Sequence, residues 1–264
     1  MKEKRDWQRT NLLLSGWSGA GTSTTALCLA LAFHRRYLYL GGLFRYLSQR
    51  LGYQSEGQDR LSADEYLEEY LGKILDQLFS DVLKKEHNLV AESDIGGFLI
   101  QRWWSTAELS KIYRIFLQVD QSTRTLRAQD DGRSNAQQIL RQRDVFHQQK
   151  YQQLWQIDVF DLSQIVASYD YVLDTSQVSL TETVMQIGRH LRDWMSDFPP
   201  HWQQLLTEAV QVYKVGGKEK LRQALREQDL IISPQLMLQY LGKDFVDQIG
   251  HLPLRLRQVL GLGD

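Results

Sequence analysis

The chain has 264 residues, of which 42% are hydrophobic and 24% charged, proportions that exclude disordered, fibrous and disulfide-scaffold proteins. Its 31 Lys and Arg residues against 32 Asp and Glu residues give a net charge of −1, so the chain lacks the basic excess that binding to a nucleic-acid backbone requires. Cys28 is the single cysteine, which excludes an intramolecular disulfide and fits a reducing, cytoplasmic location. No run approaches the ~20 apolar residues of a membrane span. Neither nucleic acid nor a membrane is therefore an expected partner.

The first predicted strand, residues 11–15, leads into a glycine-rich segment at residues 16–23 that reads GWSGAGTS. This spacing matches the G-x-x-x-x-G-K-[ST] pattern of a phosphate-binding loop except at the seventh position, where Thr22 replaces lysine. Backbone N–H groups of such a loop, and of the helix that follows it, point at an anion whatever the side chains are. The residues predicted to bind nucleotide phosphates are Gly16, Gly19, Ala20, Gly21, Thr22, Ser23 and Thr24. A plain glycine-rich turn between strand and helix is the alternative interpretation.

Four further apolar runs, at residues 37–40, 88–92, 113–119 and 170–174, have the length of buried strands and alternate with longer amphipathic segments. That alternation is typical of a parallel sheet covered by helices. We therefore predict an α/β fold, organised as α/β/α in three layers around a five-stranded parallel sheet, with a helical extension at the C-terminus.

Two residues are predicted to hold Mg²⁺. Ser23 occupies the hydroxyl position of the phosphate loop. Glu92 ends an inner strand, where ligands bind in open α/β sheets, so Glu92 or, alternatively, Asp94 is expected to hold the metal through water. Capping of the next turn is the alternative role for Glu92.

The predicted helices differ in how firmly their sequences anchor them. Residues 62–65 form a capping box ahead of an apolar stripe that extends to residue 83. Residues 134–155 form a long polar helix with few apolar side chains to bury, which predicts that this helix can move. A helix capped by Ser179 ends before the Pro-Pro pair at residues 199–200, the expected domain boundary. Residues 199–264 are interpreted as a helical extension.

Several blocks of sequence, in order along the chain, resemble the P-loop nucleoside monophosphate kinases, and most closely the archaeal-type cytidylate kinase-like family. The blocks that follow the loop are LGGLFR at residues 40–45, VAESDIGG at 90–97, TRTLR at 123–127, LRQRD at 140–144, IDVFDLS at 157–163 and YDYVLDT at 169–175. The resemblance extends over residues 11–195 and does not include the extension.

This resemblance implies a kinase domain at residues 1–198, with an acceptor-binding region at about 41–87 and a lid at about 122–160. It implies ATP and Mg²⁺ as cofactors and a nucleotide, CMP or dCMP first, as the acceptor. A guanidinium group can donate two parallel hydrogen bonds to a pair of phosphate oxygens, and phosphoryl transfer depends on neutralising the negative charge of those oxygens. The lid arginines assigned to catalysis are Arg124, Arg127, Arg141 and Arg143. The residues assigned to the acceptor are Gly42, Arg45, Asp94 and Arg102.

Two positive charges of the family pattern are missing, because Thr22 replaces the loop lysine and Asp94, or Ser93 in another register, stands where arginine is common. Loss of one such contact costs ~10²–10³ in rate. Arg102 and the lid arginines are the candidates to compensate. Two hypotheses follow: an active nucleoside monophosphate kinase, or a nucleotide-binding, catalytically weak regulatory protein. In the second, residues 199–264 present a surface for a protein partner or for self-association.

Overall fold

The computed structural model describes residues 4–50, 65–130 and 135–240. Its strands are β1 (Arg5–Asp6), β2 (Asn11–Gly16), β3 (Arg36–Tyr39), β4 (Leu89–Glu92), β5 (Ile112–Gln118), β6 (Tyr171–Asp174) and β7 (Met195–Ser196). Its helices are α1 (Thr22–Ala32), α2 (Leu40–Arg50), α3 (Glu65–Lys85), α4 (Gly96–Trp103), α5 (Thr106–Leu109), α6 (Gln121–Asp130), α7 (Ala136–Trp155), α8 (Leu162–Ser168), α9 (Leu180–Trp194), α10 (Trp202–Glu227) and α11 (Pro234–Leu238). Of the predicted capping box, residues 62–64 lie outside the described residues. No helix of the described ranges is long and apolar enough to cross a membrane.

A five-stranded parallel sheet in the order β3-β4-β2-β5-β6 forms the centre of the fold and confirms the predicted α/β class. Each predicted strand is present, with its ends shifted by at most one residue. The middle strand β2 is fully buried at Leu12, Leu13 and Leu14, as expected for a strand covered on both faces. A separate parallel pair, β1 with β7, joins the N-terminal segment to the end of α9.

The chain reverses its direction across the sheet next to β2. The connection from β2 to β3 and that from β4 to β5 cross the sheet in opposite directions. Because such crossovers are right-handed, α1 and α4 cover opposite faces of the sheet, which gives three layers. Open α/β sheets bind ligands in the crevice at such a reversal, beyond the carboxyl ends of the strands. Here those ends belong to β2 and β4.

The described residues form two compact units. The sheet unit comprises residues 4–38 and 87–231, and the helical unit comprises residues 39–86 and 232–240 as far as they are described. Within the helical unit, α2 packs against both α3 and α11. That unit includes most of residues 41–87, whose role as an acceptor-binding region stays a prediction.

The first part of the C-terminal extension packs within the sheet unit. Helix α10 lies against α1 and α9 and buries Leu206, Leu221 and Leu225 completely. Beyond it, the Tyr37 N–H donates to the Leu230 carbonyl over 2.6 Å. Burial of these leucines explains why the structure groups the segment with the sheet. The separate domain expected at residues 199–264 stays a prediction, since residues 241–264 lie outside the described part of the chain.

Candidate active site

The loop between β2 and α1 has a backbone that requires glycine. Gly19 and Gly21 have φ angles of +88° and +87°, in the left-handed region that glycine adopts without strain. A Cβ atom on Gly16 would lie 2.5 Å from the carbonyl oxygen of Leu117 in β5, too close for any other residue. The glycines at this spacing therefore let the loop turn sharply and pass close to the neighbouring strand.

Helix α1 starts at the end of this loop with no side-chain cap. Gly21 occupies the N-cap position, and it has no side chain to accept from the first N–H groups of the helix. The positive end of the helix dipole adds to these donors, so the helix start favours an anion. The start of α1 therefore has the donors that the predicted phosphate site requires, and phosphate binding itself stays a prediction.

Thr22 and Ser23, the first residues of α1, point to different surroundings. The Thr22 hydroxyl is buried without a hydrogen-bond partner among the described residues, and it lies 2.7 Å from the place that a Cβ on Gly16 would occupy. Ser23 Oγ donates to Glu92 Oε1 over 2.5 Å. The two residues predicted to hold a metal ion are thus in direct contact, whereas the Thr22 side chain is turned toward the loop backbone.

Glu92 is buried at the end of β4 and accepts two hydrogen bonds. The second comes from the Tyr37 hydroxyl, 2.5 Å from Glu92 Oε2. Burial raises the pKa of the Glu92 carboxyl, and the hydrogen bonds from Ser23 and Tyr37 oppose that rise. Among the described residues, no group of three or more His, Cys, Asp or Glu side chains lies together. The Ser23–Glu92 pair suits Mg²⁺, which takes few protein ligands and completes its shell with water and phosphate oxygens.

Two arginines of α6 contact the outer side of the loop. Arg124 is 3% exposed; its Nε donates to the Ser18 carbonyl and its Nη2 to Asp144 of α7, each over 2.5 Å. Arg127 donates to the Thr175 carbonyl over 2.6 Å and, less closely, to the Gly19 carbonyl over 3.3 Å. In this arrangement both guanidinium groups bind backbone oxygens next to the phosphate site.

The polar helix predicted at residues 134–155 is present as α7, with few buried side chains, and its ability to move stays a prediction. Of its 20 residues only Ala136 and Leu140 are buried. Arg141 is exposed and has no partner among the described residues, whereas Arg143 is half-buried and its charge acts on His147. Burial lowers the pKa of His147, so this side chain is neutral near pH 7.

A narrow cleft separates the loop from α7. Its lining consists of loop residues, apolar side chains and the polar side chains of Asp94, Asp144, His147 and Tyr151. The Tyr151 hydroxyl lies 3.4 Å from Asp94, whose side chain is 57% exposed. The cleft volume of about 20 Å³ accommodates roughly one water molecule.

The remaining predicted site residues have contacts of their own. Arg102 donates to the Trp155 carbonyl at the C-terminal end of α7. In the helical unit, Arg45 donates to the Tyr39 hydroxyl over 3.0 Å, and a Cβ on Gly42 would lie 3.1 Å from the Tyr39 ring. Of the acceptor-side residues named from the sequence, the structure brings Asp94 to the cleft and ties Arg102 to the end of α7.

Several contacts of the site have no signal in the sequence. Trp17, inside the loop, donates from its indole to the Val159 carbonyl over 2.9 Å and packs against Phe116 and Phe160. Tyr37 reads only as a strand residue, and Asp144 as a surface residue of a polar helix. Their roles arise from tertiary packing, which residue spacing does not encode.

No family model matches the chain. The chain is similar to a cytidylate kinase of Sulfolobus acidocaldarius, with 28% identity over 179 residues that make up 67% of this chain and 90% of the relative. A cytidylate kinase of Saccharolobus islandicus is 24% identical over 183 residues, 68% of this chain and 89% of the relative. Among solved structures, a shikimate kinase of Acinetobacter baumannii is similar over 70% of this chain and 93% of that one, with 15% identity and a TM-score of 0.43.

The cytidylate kinase relatives and the phosphate loop support a P-loop kinase-like family for this chain. The similarity extends to the nucleoside monophosphate kinases in particular.

Proposed function

We propose that the protein transfers the γ-phosphoryl group of ATP to a nucleoside monophosphate, with CMP and dCMP as the first candidates and Mg²⁺ as the metal ion. The observation that carries this proposal is the uncapped start of α1 behind the glycine-rich loop, next to the buried Ser23–Glu92 pair. This combination offers backbone donors to phosphate and oxygen ligands to a hard cation. The similarity to cytidylate kinases supplies the nucleotide as the acceptor class.

The donor side fits ATP and Mg²⁺ on the chemistry of its groups. The first N–H groups of α1 lack a side-chain cap, so these backbone donors are available to phosphate oxygens. We assign phosphate binding to residues 16–24 and the metal to Ser23 and Glu92. When bound, Mg²⁺ neutralises the negative charge that gathers on the phosphate oxygens.

On the lid side, we propose that Arg124, Arg127, Arg141 and Arg143 stabilise the transferred phosphoryl group when α7 closes. Arg124 and Arg127 already donate to oxygens of the loop, and phosphate oxygens accept the same donors in the same fork geometry. Closure of the lid also excludes water, which would otherwise accept the phosphoryl group. Gly42 and Arg45 are proposed to bind the acceptor phosphate, with Asp94 and Arg102 as further acceptor-side residues.

A second candidate function is nucleotide binding without efficient transfer. The observation that favours it is the loss of charge at the site: Thr22 turns toward Gly16, and Asp94 brings a carboxylate to the cleft. In this case the extension would act as the contact with a partner protein.

One experiment separates the two candidates. The protein is incubated with Mg²⁺-ATP and, in turn, CMP, dCMP, UMP, AMP and the corresponding nucleosides, and ADP is measured. A kinase gives ADP above background with a monophosphate, and Glu92→Gln lowers that rate. If no acceptor raises ADP while ATP still increases the melting temperature, the kinase proposal fails and the binding role stands.

A further inference from the structure

The second half of α10 is held in a fixed direction by a kink and by buried leucines. Gly217 has φ +62° and ψ −157°, a conformation essentially confined to glycine, and it breaks the helix after Gly216. Beyond the kink, Leu221 and Leu225 are fully buried. The packing of these two leucines therefore fixes the direction of the side chains between them, including Arg222.

This half of α10 runs from the carboxyl ends of the strands toward their amino ends. The proposed phosphate site lies at the carboxyl ends, so the earlier residues of this half lie nearer to it. After a turn at Gln228 and Asp229, Ile231 pairs with Tyr37 in parallel, beside the start of β3. A helix that is joined to a parallel strand by so short a turn runs antiparallel to that strand. Arg222 precedes Gln228 by six residues, or about 9 Å of helix, toward the carboxyl ends of the strands.

The second half of α10 leads to the surroundings of Glu92. Ile231, which follows α10, pairs with Tyr37, and the Tyr37 hydroxyl donates to Glu92. The positive charge of Arg222 also lowers the pKa of Glu92, by less than the Asp94 carboxylate raises it. The Arg222 side chain is 26% exposed, and its bond partner is Glu219, one turn earlier and 72% exposed. An exposed pair of this kind contributes little free energy, so Arg222 can exchange Glu219 for a stronger anion.

We propose that Arg222 of the C-terminal extension binds the phosphate groups of the bound nucleotide and supplies the positive charge that the loop lacks at Thr22. The inference rests on the proposed function. Two of the cations named from the sequence as replacements are bound to other groups: Arg124 binds Asp144, and Arg102 binds the Trp155 carbonyl. Arg222 differs from them in that its helix leads to Tyr37, a donor to Glu92, and that its ion-pair partner is the exposed Glu219 carboxylate. The extension thereby completes the active site.

The test compares Arg222→Gln with Arg226→Gln, an exposed arginine one turn later on the same helix. We expect Arg222→Gln to lower kcat/KM by ~10²–10³, the usual loss for one donor to a developing anion. The rise in melting temperature on addition of Mg²⁺-ATP should shrink in the same variant. Arg226→Gln should leave both quantities unchanged, and Arg222→Lys should restore part of the loss.

A second substitution distinguishes phosphate binding from a merely structural role. If Arg222 replaces the loop lysine, Thr22→Lys should raise the activity of Arg222→Gln at least tenfold and change the wild-type rate much less. Such non-additivity is expected of two groups that act at one place. A structural role for Arg222 predicts a lower melting temperature that Thr22→Lys does not rescue.

Three outcomes overturn the inference: equal behaviour of the Arg222 and Arg226 variants, no rescue by Thr22→Lys, or an undiminished response to Mg²⁺-ATP in Arg222→Gln. Failure of the proposed function is recognised separately. If the wild type transfers no phosphoryl group but is stabilised by Mg²⁺-ATP, loss of that stabilisation in Arg222→Gln still supports the inference. If ATP does not stabilise the wild type, both proposals fail.

Discussion

The two sides of the phosphate loop are held in different ways. On the sheet side, Ser23, Glu92 and Tyr37 form a buried chain of hydrogen bonds at the ends of adjacent strands. On the lid side, the loop is held by arginine donors from α6, and α7 beyond them buries only Ala136 and Leu140. This difference indicates that Ser23 and Glu92, which are assigned to the metal, are fixed before binding. The arginines of α6, which are assigned to lid closure, can exchange partners.

The lid contacts have a chemistry that permits this exchange. Arg124 and Arg127 donate to backbone carbonyl oxygens, and the net free energy of one such hydrogen bond is ~0.5–1.5 kcal/mol, or up to ~3 kcal/mol for a charged donor. Phosphate oxygens are charged acceptors that match the same guanidinium donors. By contrast, opening the sheet side would expose a buried carboxyl and its two donors. Local opening should therefore start at the lid.

The largest expected effect is that of Gly16→Ala, which breaks the fixed side. The new Cβ would lie 2.5 Å from the Leu117 carbonyl, and the strand backbone cannot yield. We expect a loss of ~1–3 kcal/mol in stability, as for other overpacked sites, and no response of the melting temperature to Mg²⁺-ATP. Gly21→Ala is the control, because it adds backbone strain without a steric contact. An intact response to ATP in Gly16→Ala would contradict the loop geometry.

Arg124→Gln should have the next largest effect, because it removes a contact on the lid side of the loop and leaves the sheet side intact. Removal of a donor that follows the transferred group lowers the transfer rate by ~10²–10³. Asp144 then has no charged partner, so the Arg124→Gln/Asp144→Asn double variant should regain stability but not rate. Steady-state kinetics measure the transfer rate, and urea unfolding measures the stability, of the wild type, the two single variants and the double variant. A double variant with normal kcat would show that Arg124 acts only through Asp144.

Glu92→Gln sharpens the comparison, because it should separate activity from stability. Outer-shell metal partners are worth ~10–100-fold in affinity or activity, so the rate should fall by that amount. The variant should be more stable than the wild type near pH 7. Burial raises the pKa of Glu92, and the neutral glutamine removes the cost of burying its charge.

The pH dependence of Glu92→Gln has a definite sign. With a raised pKa, the folded wild type binds more protons than the unfolded chain just above the ordinary Glu pKa of ~4.3, so its stability falls as pH rises through that window. The variant lacks this slope. Urea unfolding from pH 4 to pH 8 measures it, and a variant less stable than the wild type at pH 8 would contradict the assignment.

The smallest effects are expected on α7, where Arg143→Gln and Arg141→Gln form a matched pair. Arg143 is half-buried beside His147, and its loss should lower kcat about tenfold, or ~1.4 kcal/mol. Arg141 is exposed, so its loss should lower kcat by only a few-fold. The free energy of unfolding should change by no more than ~0.5 kcal/mol in either variant. Equal losses in kcat would mean that both reach the reacting phosphate on closure.

Local patterns in the sequence predict the sheet and the loop well. The five strands are found within one residue of their predicted ends, because short apolar runs between amphipathic segments leave little choice of element. The glycine spacing predicts the loop, since positive φ angles at Gly19 and Gly21 exclude most other residues. Helix α9 starts after its predicted cap, Ser179, for the same local reason.

Long-range pairings are what the sequence does not predict. In the sequence, Arg102 is a candidate replacement cation, yet it binds the end of α7, because the reach of a side chain depends on how two distant helices pack. The glycine pair at residues 216–217 breaks α10, as glycines favour, but residue spacing does not predict the packing of the helix that follows. Its position beside α1 depends on leucines whose partners lie far away in sequence.

Hydrogen exchange of α1 and α7, with and without Mg²⁺ and a non-hydrolysable ATP analogue, tests the contrast between fixed and movable sides most directly. We predict slow exchange in the body of α1, from Thr25 onward, in both states, because these amides are hydrogen-bonded within a buried helix. The uncapped amides at its start should gain protection only on binding. Amides of α7 should exchange much faster in the free protein and become protected on binding. Equal protection of α7 and α1 before the nucleotide is added, or no change in α7 afterwards, would contradict the account.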